Sequence, residues 1–243
     1  YLLRLYLANV GMVFFNQIMC MLQRKLDYVA YQPKNHNIFT TLFCAGVLIC
    51  IWENRKEKKK FLTYIGIYIF WQAMLIKLAI LVETYDYLWY GNARLETVLR
   101  TDYIFPLLGG IWDVEGGVFF IALGVCLYCA VEDRWKLTLY YILFCGTYLL
   151  MCEGDILYRI MNRFSFWGYH KLADIIYVGS WSTGIPLGTS DLSLLTEFYH
   201  WMMIGALPIM LSCNGKRGKS LKWLFYAAYP LQFLVLYGIS YYK

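Results

Sequence analysis

Phe43-Cys44-Ala45-Gly46-Val47-Leu48-Ile49-Cys50-Ile51-Trp52-Glu53-Asn54-Arg55-Lys56-Glu57-Lys58-Lys59-Lys60-Phe61-Leu62-Thr63-Tyr64-Ile65-Gly66-Ile67-Tyr68-Ile69-Phe70 decides the fold. An apolar run stops at a knot of five basic side chains, then resumes for another full run. A soluble protein spreads its charge over its surface, whereas a multi-span membrane protein confines charge to the loops between spans. Asn214-Gly215-Lys216-Arg217-Gly218-Lys219 repeats the pattern near the other end of the chain.

The totals agree. Of 243 residues, 60% are hydrophobic, 19% aromatic and only 16% charged. Mean hydropathy is +0.48. The expectation is an all-α, polytopic transmembrane helical bundle forming a single domain over residues 1–243. Strict period-two alternation, the mark of a transmembrane barrel, is absent. The net charge of +6 does not imply nucleic acid, because the basic residues sit in short inter-span loops, where they orient the chain against the cytoplasmic leaflet. The chain opens at Tyr1 inside an apolar segment without a signal-peptide layout, and reads as the C-terminal part of a longer protein.

Seven spans are predicted: A from Tyr1 to Met21, B from Ile38 to Trp52, C from Phe61 to Val82, D from Val114 to Val131, E from Trp135 to Cys152, F from Leu192 to Ser212 and G from Leu221 to Tyr241. Most approach the length needed for a core of about 30 Å at about 1.5 Å per residue. The B–C, D–E and F–G loops hold the basic clusters, so all three are expected in the cytoplasm, an alternation that seven spans require. The C–D and E–F segments are long and external. Within them Tyr103–Trp112 is apolar but too short to span, and 178–188 is rich in helix breakers. Both are candidate re-entrant or interfacial pieces, tolerated only where protein or water meets their backbone groups. The eight cysteines lie in apolar runs or at span ends, which suits packing rather than a disulfide framework.

Ionisable groups inside a span cost roughly 2.5–3.5 kcal/mol on insertion scales, so each one prompts a hypothesis. Glu197 and His200 share one face of span F at i,i+3, where a carboxylate can orient an imidazole base. A buried hydrogen-bonded pair is the alternative. His36, flanked by Asn35 and Asn37, stands at the mouth of span B, either lining a polar pocket or beside an Asn37 helix cap. Asp113 and Glu115 open span D before Gly116-Gly117, complementing that helix's dipole or flooring a pocket. Arg100 precedes them. Arg4, Asn9, Asn16 and Gln17 give span A a polar stripe expected to avoid lipid. Metal binding has little support, since three scattered histidines do not make a site.

Two segments resemble the TraX family of integral membrane proteins. One joins Tyr1-Leu2-Leu3-Arg4-Leu5 to Asn35-His36-Asn37-Ile38-Phe39-Thr40-Thr41-Leu42-Phe43. The other, more specific, joins Asn214-Gly215-Lys216-Arg217-Gly218 to Trp223-Leu224-Phe225-Tyr226-Ala227-Ala228-Tyr229-Pro230-Leu231. Asp113–Val118 is loosely similar to a helix start in the family. The resemblance covers about a third of the chain. It implies a bacterial inner-membrane acyltransferase whose acyl donor is acetyl-CoA or another acyl-CoA and whose acceptor is an amine or hydroxyl. The founding member is credited with N-terminal acetylation of pilin during conjugation. The sequence departs from the family in two ways. The upstream spans, with their Asp-His pair, lie outside this sequence, and Gln232 stands where the family's closing helix carries a histidine. From the residues present, His200, Glu197 and His36 are the catalytic candidates. Asn35, Arg100, Asp113, Glu115 and Arg4 are the substrate-binding candidates. A transporter or flippase, or a non-catalytic assembly factor, are the alternative classes.

Overall fold

The computed structural model describes residues 1–26, 37–90, 105–111, 114, 115, 117–153, 163, 199–212 and 222–241. Among them every regular element is helical. The helices are α1 (Leu2–Leu26), α2 (Ile38–Glu53), α3 (Lys58–Tyr90), α4 (Phe105–Leu108), α5 (Gly117–Ala130), α6 (Arg134–Glu153), α7 (Leu207–Ser212) and α8 (Lys222–Tyr241). A 3-10 turn over Asn54–Lys56 joins α2 to α3, and a 3-10 stretch over Tyr199–Ala206 leads into α7.

Among the described residues three helices are long and apolar enough to cross a membrane, with apolar windows Leu2–Met19, Ile38–Lys56 and Lys58–Val82. They coincide with the predicted spans A, B and C. Their outer faces are strongly apolar, and on α3 Ile67, Ile69, Phe70 and Leu81 are each at least half exposed. Such a surface suits hydrocarbon as its solvent. The apolar helices Gly117–Ala130 and Trp223–Ile239 match spans D and G but are shorter than a full crossing. α6 matches span E with Arg134, Lys136 and Glu153 at its ends. Of span F, the described part is the 3-10 stretch and α7.

The chain forms two compact units. One contains Tyr1–Glu115 and Arg217–Lys243, the other Gly116–Lys216. In the first, Leu2 and Leu5 close on Gly46 while Asn9 meets Thr40 and Asn37, so α1 and α2 run antiparallel. A Cβ at Gly46 would come 2.7 Å from Leu2 Cδ2. The absent side chain therefore lets these helices approach. α8 runs alongside α1 in the same direction. Leu7 and Ala8 face Tyr226, and further along Met19 packs on Tyr237 with Phe15 and Phe233 around them. α3 turns a narrow stripe of Gln72, Leu75 and Ala79 inward, and Phe105 of α4 packs on the latter two.

α4 shows how a short helix is tolerated inside an apolar bundle. A helix end leaves carbonyls without intrahelical donors. Here Gly109, at φ +69°, reverses the chain so that the Gly110 N–H reaches the Phe105 carbonyl at 2.7 Å, a Schellman-type closure. The remaining carbonyls are met by side chains from three helices. Asn9 Nδ2 donates to Pro106 O at 2.5 Å and the Tyr6 hydroxyl to Leu107 O at 3.0 Å. Trp71 Nε1 donates to Leu108 O at 2.9 Å and Gln72 Nε2 to Gly109 O at 3.0 Å. The Cys44 thiol points at the Gly109 and Gly110 carbonyls. Gln72 Oε1 in turn accepts from the Ile111 N–H at 3.1 Å. Gln72 lies near the middle of the apolar run Lys58–Val82, so the tip of the α4 hairpin sits at mid-depth of the longest apolar helix. Within Tyr103–Trp112, read from sequence as either re-entrant or interfacial, residues 105–111 have their backbone groups met by protein side chains, the condition under which irregular backbone is tolerated in lipid.

The second unit is held differently. Phe119 stacks on Phe144 at 4.2 Å, with Phe120 edge-on and Tyr148 beside them. Leu123, Tyr141 and Cys145 form its buried centre, and the Tyr141 hydroxyl donates to Met203 O at 2.7 Å. At the start of α6, Asp133 Oδ1 accepts from the Trp135 and Lys136 N–H groups at 3.0 and 3.2 Å. This is a side-chain N-cap. Lys136 Nζ also lies 3.2 Å from Asp133 Oδ2.

Candidate functional site

The polar groups of the first unit converge beside the start of α2. Asn9 is completely buried on α1. Its Nδ2 faces Pro106 O, a carbonyl that can only accept, and this fixes the orientation of the whole set. With the amino group committed there, Asn9 Oδ1 must receive donors. It takes one from Asn37 Nδ2 and one from the Thr40 hydroxyl, each at 2.7 Å. Asn37 Nδ2 also reaches the Asn9 backbone carbonyl at 3.3 Å. Asn37 Oδ1 is thereby turned away, buried, with no hydrogen-bond partner among the described residues. The chain of hydrogen bonds ends on an acceptor, so any group completing it must be a donor.

For Asn37 the sequence leaves open a cap on α2 or a place in a polar pocket beside His36. It occupies the N-cap position, but its side chain makes no capping bond. Its amide is drawn off to Asn9, and Glu115 takes over the capping. The Glu115 carboxylate accepts from the Ile38 backbone N–H and from the Tyr229 hydroxyl of α8. The Thr41 hydroxyl donates to the Glu115 backbone carbonyl at 2.7 Å. The sequence leaves open whether Glu115 complements the dipole of the helix that follows it or floors a pocket; its carboxyl also reaches the start of α2, where that helix's N–H groups point. Phe39 packs edge-on against Tyr229 at 5.5 Å and touches Phe225 and Tyr226, walling the pair with rings.

No family model, curated protein or solved structure matches the chain. Function must therefore be argued from the residues themselves.

Of the residues nominated from sequence, the structure describes Glu115 and Arg4 with their side chains. Glu115 belongs to the cluster above. Arg4 does not. It is exposed on α1 and lines a groove of about 360 Å³ whose other described walls are Leu7, Ala8, Trp223 and Tyr226. The polar stripe expected on α1 is therefore split, with Asn9 and Asn16 buried and Arg4 facing outward. His36, Asn35, Arg100, Asp113 and Glu197 lie outside the described residues. The backbone of His200 falls in the 3-10 stretch Tyr199–Ala206, while its side chain lies outside the description.

Several participants were missed by the sequence reading. Gln72 is an amide in the middle of an apolar run, and the rule that flagged ionisable residues, applied to amides, would have found it. Thr40, Thr41 and Tyr229 stood within the quoted motifs without roles. A threonine pair at a helix start and a tyrosine before a proline are common, and nothing in the sequence shows that they meet across α2, α8 and residue 115. Among the described residues Cys44, Cys50, Cys126, Cys129 and Cys145 are free thiols.

Proposed function

We propose that the chain is a multi-pass membrane acyltransferase moving an acyl group, acetyl in the simplest case, from acyl-CoA to an amine or hydroxyl acceptor. The observation that carries this reading is the Glu115–Tyr229 pair, a carboxylate held by a phenol and a helix N–H beside a cluster of buried amides and hydroxyls. Intramembrane ionisable groups are expensive to keep, and their default reading is a functional one. A carboxylate so held retains free lone pairs and can serve as general base. In the proposed reaction Glu115 removes the acceptor's proton, the acceptor attacks the thioester carbonyl, and the C–S bond breaks to release CoA. Tyr229 acts as a positioning residue. The resemblance to the TraX family adds the donor and the setting. In that setting the chain has seven spans in a bacterial inner membrane, with the B–C, D–E and F–G loops cytoplasmic. His200 with Glu197, and His36 with Asn35, Arg100 and Asp113, remain candidates for further catalytic and acceptor-binding roles.

The test is thiol release from acetyl-CoA by the purified full-length protein in lipid nanodiscs. Glu115→Gln preserves size and is expected to lower turnover by about 10²–10⁴, the usual worth of a positioned base. Wild-type turnover in that variant removes Glu115 from the chemistry. A second reading draws on α4. A short helix and turn that dock on mid-span Gln72 resemble the discontinuous elements that carry substrate sites in transporters. Uptake of solute into proteoliposomes without consumption of acyl-CoA would favour that reading over acyl transfer.

A further inference from the structure

We infer that the groove between α1 and α8 holds the phosphate and upper acyl region of an anionic phospholipid, with Arg4 as its charged contact. Arg4 projects from a helix whose apolar window, Leu2–Met19, is long enough to cross a membrane. Among the described residues no carboxylate pairs with it. An unpaired guanidinium facing hydrocarbon is costly, and reaching a lipid phosphate relieves that cost with charge-assisted hydrogen bonds. The groove provides a site of suitable size, about 360 Å³. Small-molecule sites run from roughly 300 to 1,000 Å³.

The walls select a lipid over a soluble phosphate. Leu7, Ala8 and Trp223 are apolar, and both Leu7 and Trp223 are mostly exposed. A hydrated ion would lose its water against those walls, whereas glyceryl and acyl carbons gain contact there. Trp223 and Tyr226 are residue types that favour the headgroup level of a bilayer. Lys222 opens α8 just before them, and Lys216, Arg217 and Lys219 precede it in sequence, a polybasic run of the kind that attracts anionic lipid. This site shares the Tyr226 ring with the wall of the Glu115 cluster but uses neither Glu115 nor Tyr229, and it does not depend on the acyl-transfer reading.

Native mass spectrometry of the full chain in mild detergent tests it, using phosphatidylglycerol and phosphatidylcholine with identical acyl chains. Phosphatidylglycerol should be retained about tenfold better, the worth of one such charge-assisted contact. Arg4→Gln should lower its retention to the phosphatidylcholine level. Leu7→Trp fills the groove while leaving the charge, and should abolish the preference as well. Equal retention of the two lipids by the wild type, or an unchanged preference in Arg4→Gln, overturns the inference. Should Arg4→Gln fail to fold, Leu7→Trp decides alone, and an intact preference in it is equally fatal. Displacement of phosphatidylglycerol by millimolar inorganic phosphate would assign the site to a soluble anion and overturn the lipid reading.

Discussion

The helices around Asn9 and those around Phe144 face the same problem and solve it with different chemistry. In the first unit, side chains from α1, α2 and α3 hydrogen-bond the exposed carbonyls of the α4 hairpin. In the second, rings from α5 and α6 stack, and the described polar link between elements is Tyr141 to Met203. In hydrocarbon, lipid chains compete with apolar packing almost on equal terms, so ring contacts hold helices together weakly and tolerate change. Polar cross-links have no competitor in lipid, and they specify one arrangement. A protein that could be packed with rings throughout but concentrates amides, hydroxyls and a carboxylate in one place is holding geometry there for a reason other than cohesion.

Asn9 offers the sharpest way to break the comparison. Asn9→Leu keeps the branched shape with bulkier methyl groups, strands the Pro106 carbonyl and the Thr40 hydroxyl, and leaves the Asn37 amide only its longer bond to the residue-9 backbone carbonyl. A stranded buried group costs about 1–3 kcal/mol in soluble proteins, while intramembrane hydrogen bonds average nearer 0.6 kcal/mol net. Three lost partners should therefore lower stability by about 2–4 kcal/mol, read by unfolding in mixed micelles. A loss of only a few tenths would mean that the network is ornamental and that the two units do not differ in kind.

Gly109→Ala should come next, at about 1–2 kcal/mol, the usual penalty for placing an L side chain in the left-handed region. Gly109 sits at φ +69°, and its new Cβ would lie 2.9 Å from the Phe43 ring. Because the turn sets how α4 docks on α3, crosslinking between cysteines placed at 79 and 105, which pack together, should become slower in a Gly109→Ala background. Unchanged crosslinking would show that the hairpin does not depend on its glycine.

Much of this contrast was legible before any coordinates. Apolar spans starting at Tyr1, Ile38 and Phe61, the basic turn after Trp52 and the short apolar piece around Phe105 all follow from hydropathy, because lipid imposes a single length rule on every span, whereas the helix of the third span begins earlier, at Lys58, within the basic knot. The site was less legible, since hydropathy registers that Asn9, Asn37 and Gln72 are polar but carries no information about which helix each one faces. For the same reason adjacency in sequence ties Glu115 to the start of α5 or to a pocket floor and does not reveal that its carboxyl also reaches the start of α2, whose cap Asn37 turns elsewhere.

A smaller effect is expected in the second unit. Phe144→Leu removes the stack with Phe119 and the edge contacts with Phe120 and Tyr148 while keeping the site apolar. Aromatic pairs contribute about 0.5–1.5 kcal/mol beyond their area, so the loss should fall in that range. A drop as large as that of Asn9→Leu would erase the distinction between specified and tolerant regions.

The least of the effects lies outside the apolar helices, at the N-cap of α6. The Lys136 backbone N–H and its ammonium, then the Trp135 N–H, hold the exposed Asp133 carboxyl below the usual aspartate value. A group with a depressed folded pKa adds stability that is fully present above its unfolded pKa and fades as pH falls through the folded one. The window is therefore acidic, beneath the ordinary aspartate range. Asp133→Asn keeps an oxygen acceptor for the two N–H groups but cannot titrate, so it should flatten the acid limb of α6 protection in hydrogen exchange with little change at neutral pH. Asp133→Ala loses the acceptor as well, and should fray α6 at every pH. If Asn and Ala behave alike at neutral pH, the cap owes its effect to charge, and the second unit depends on electrostatics more than its ring-packed interior suggests.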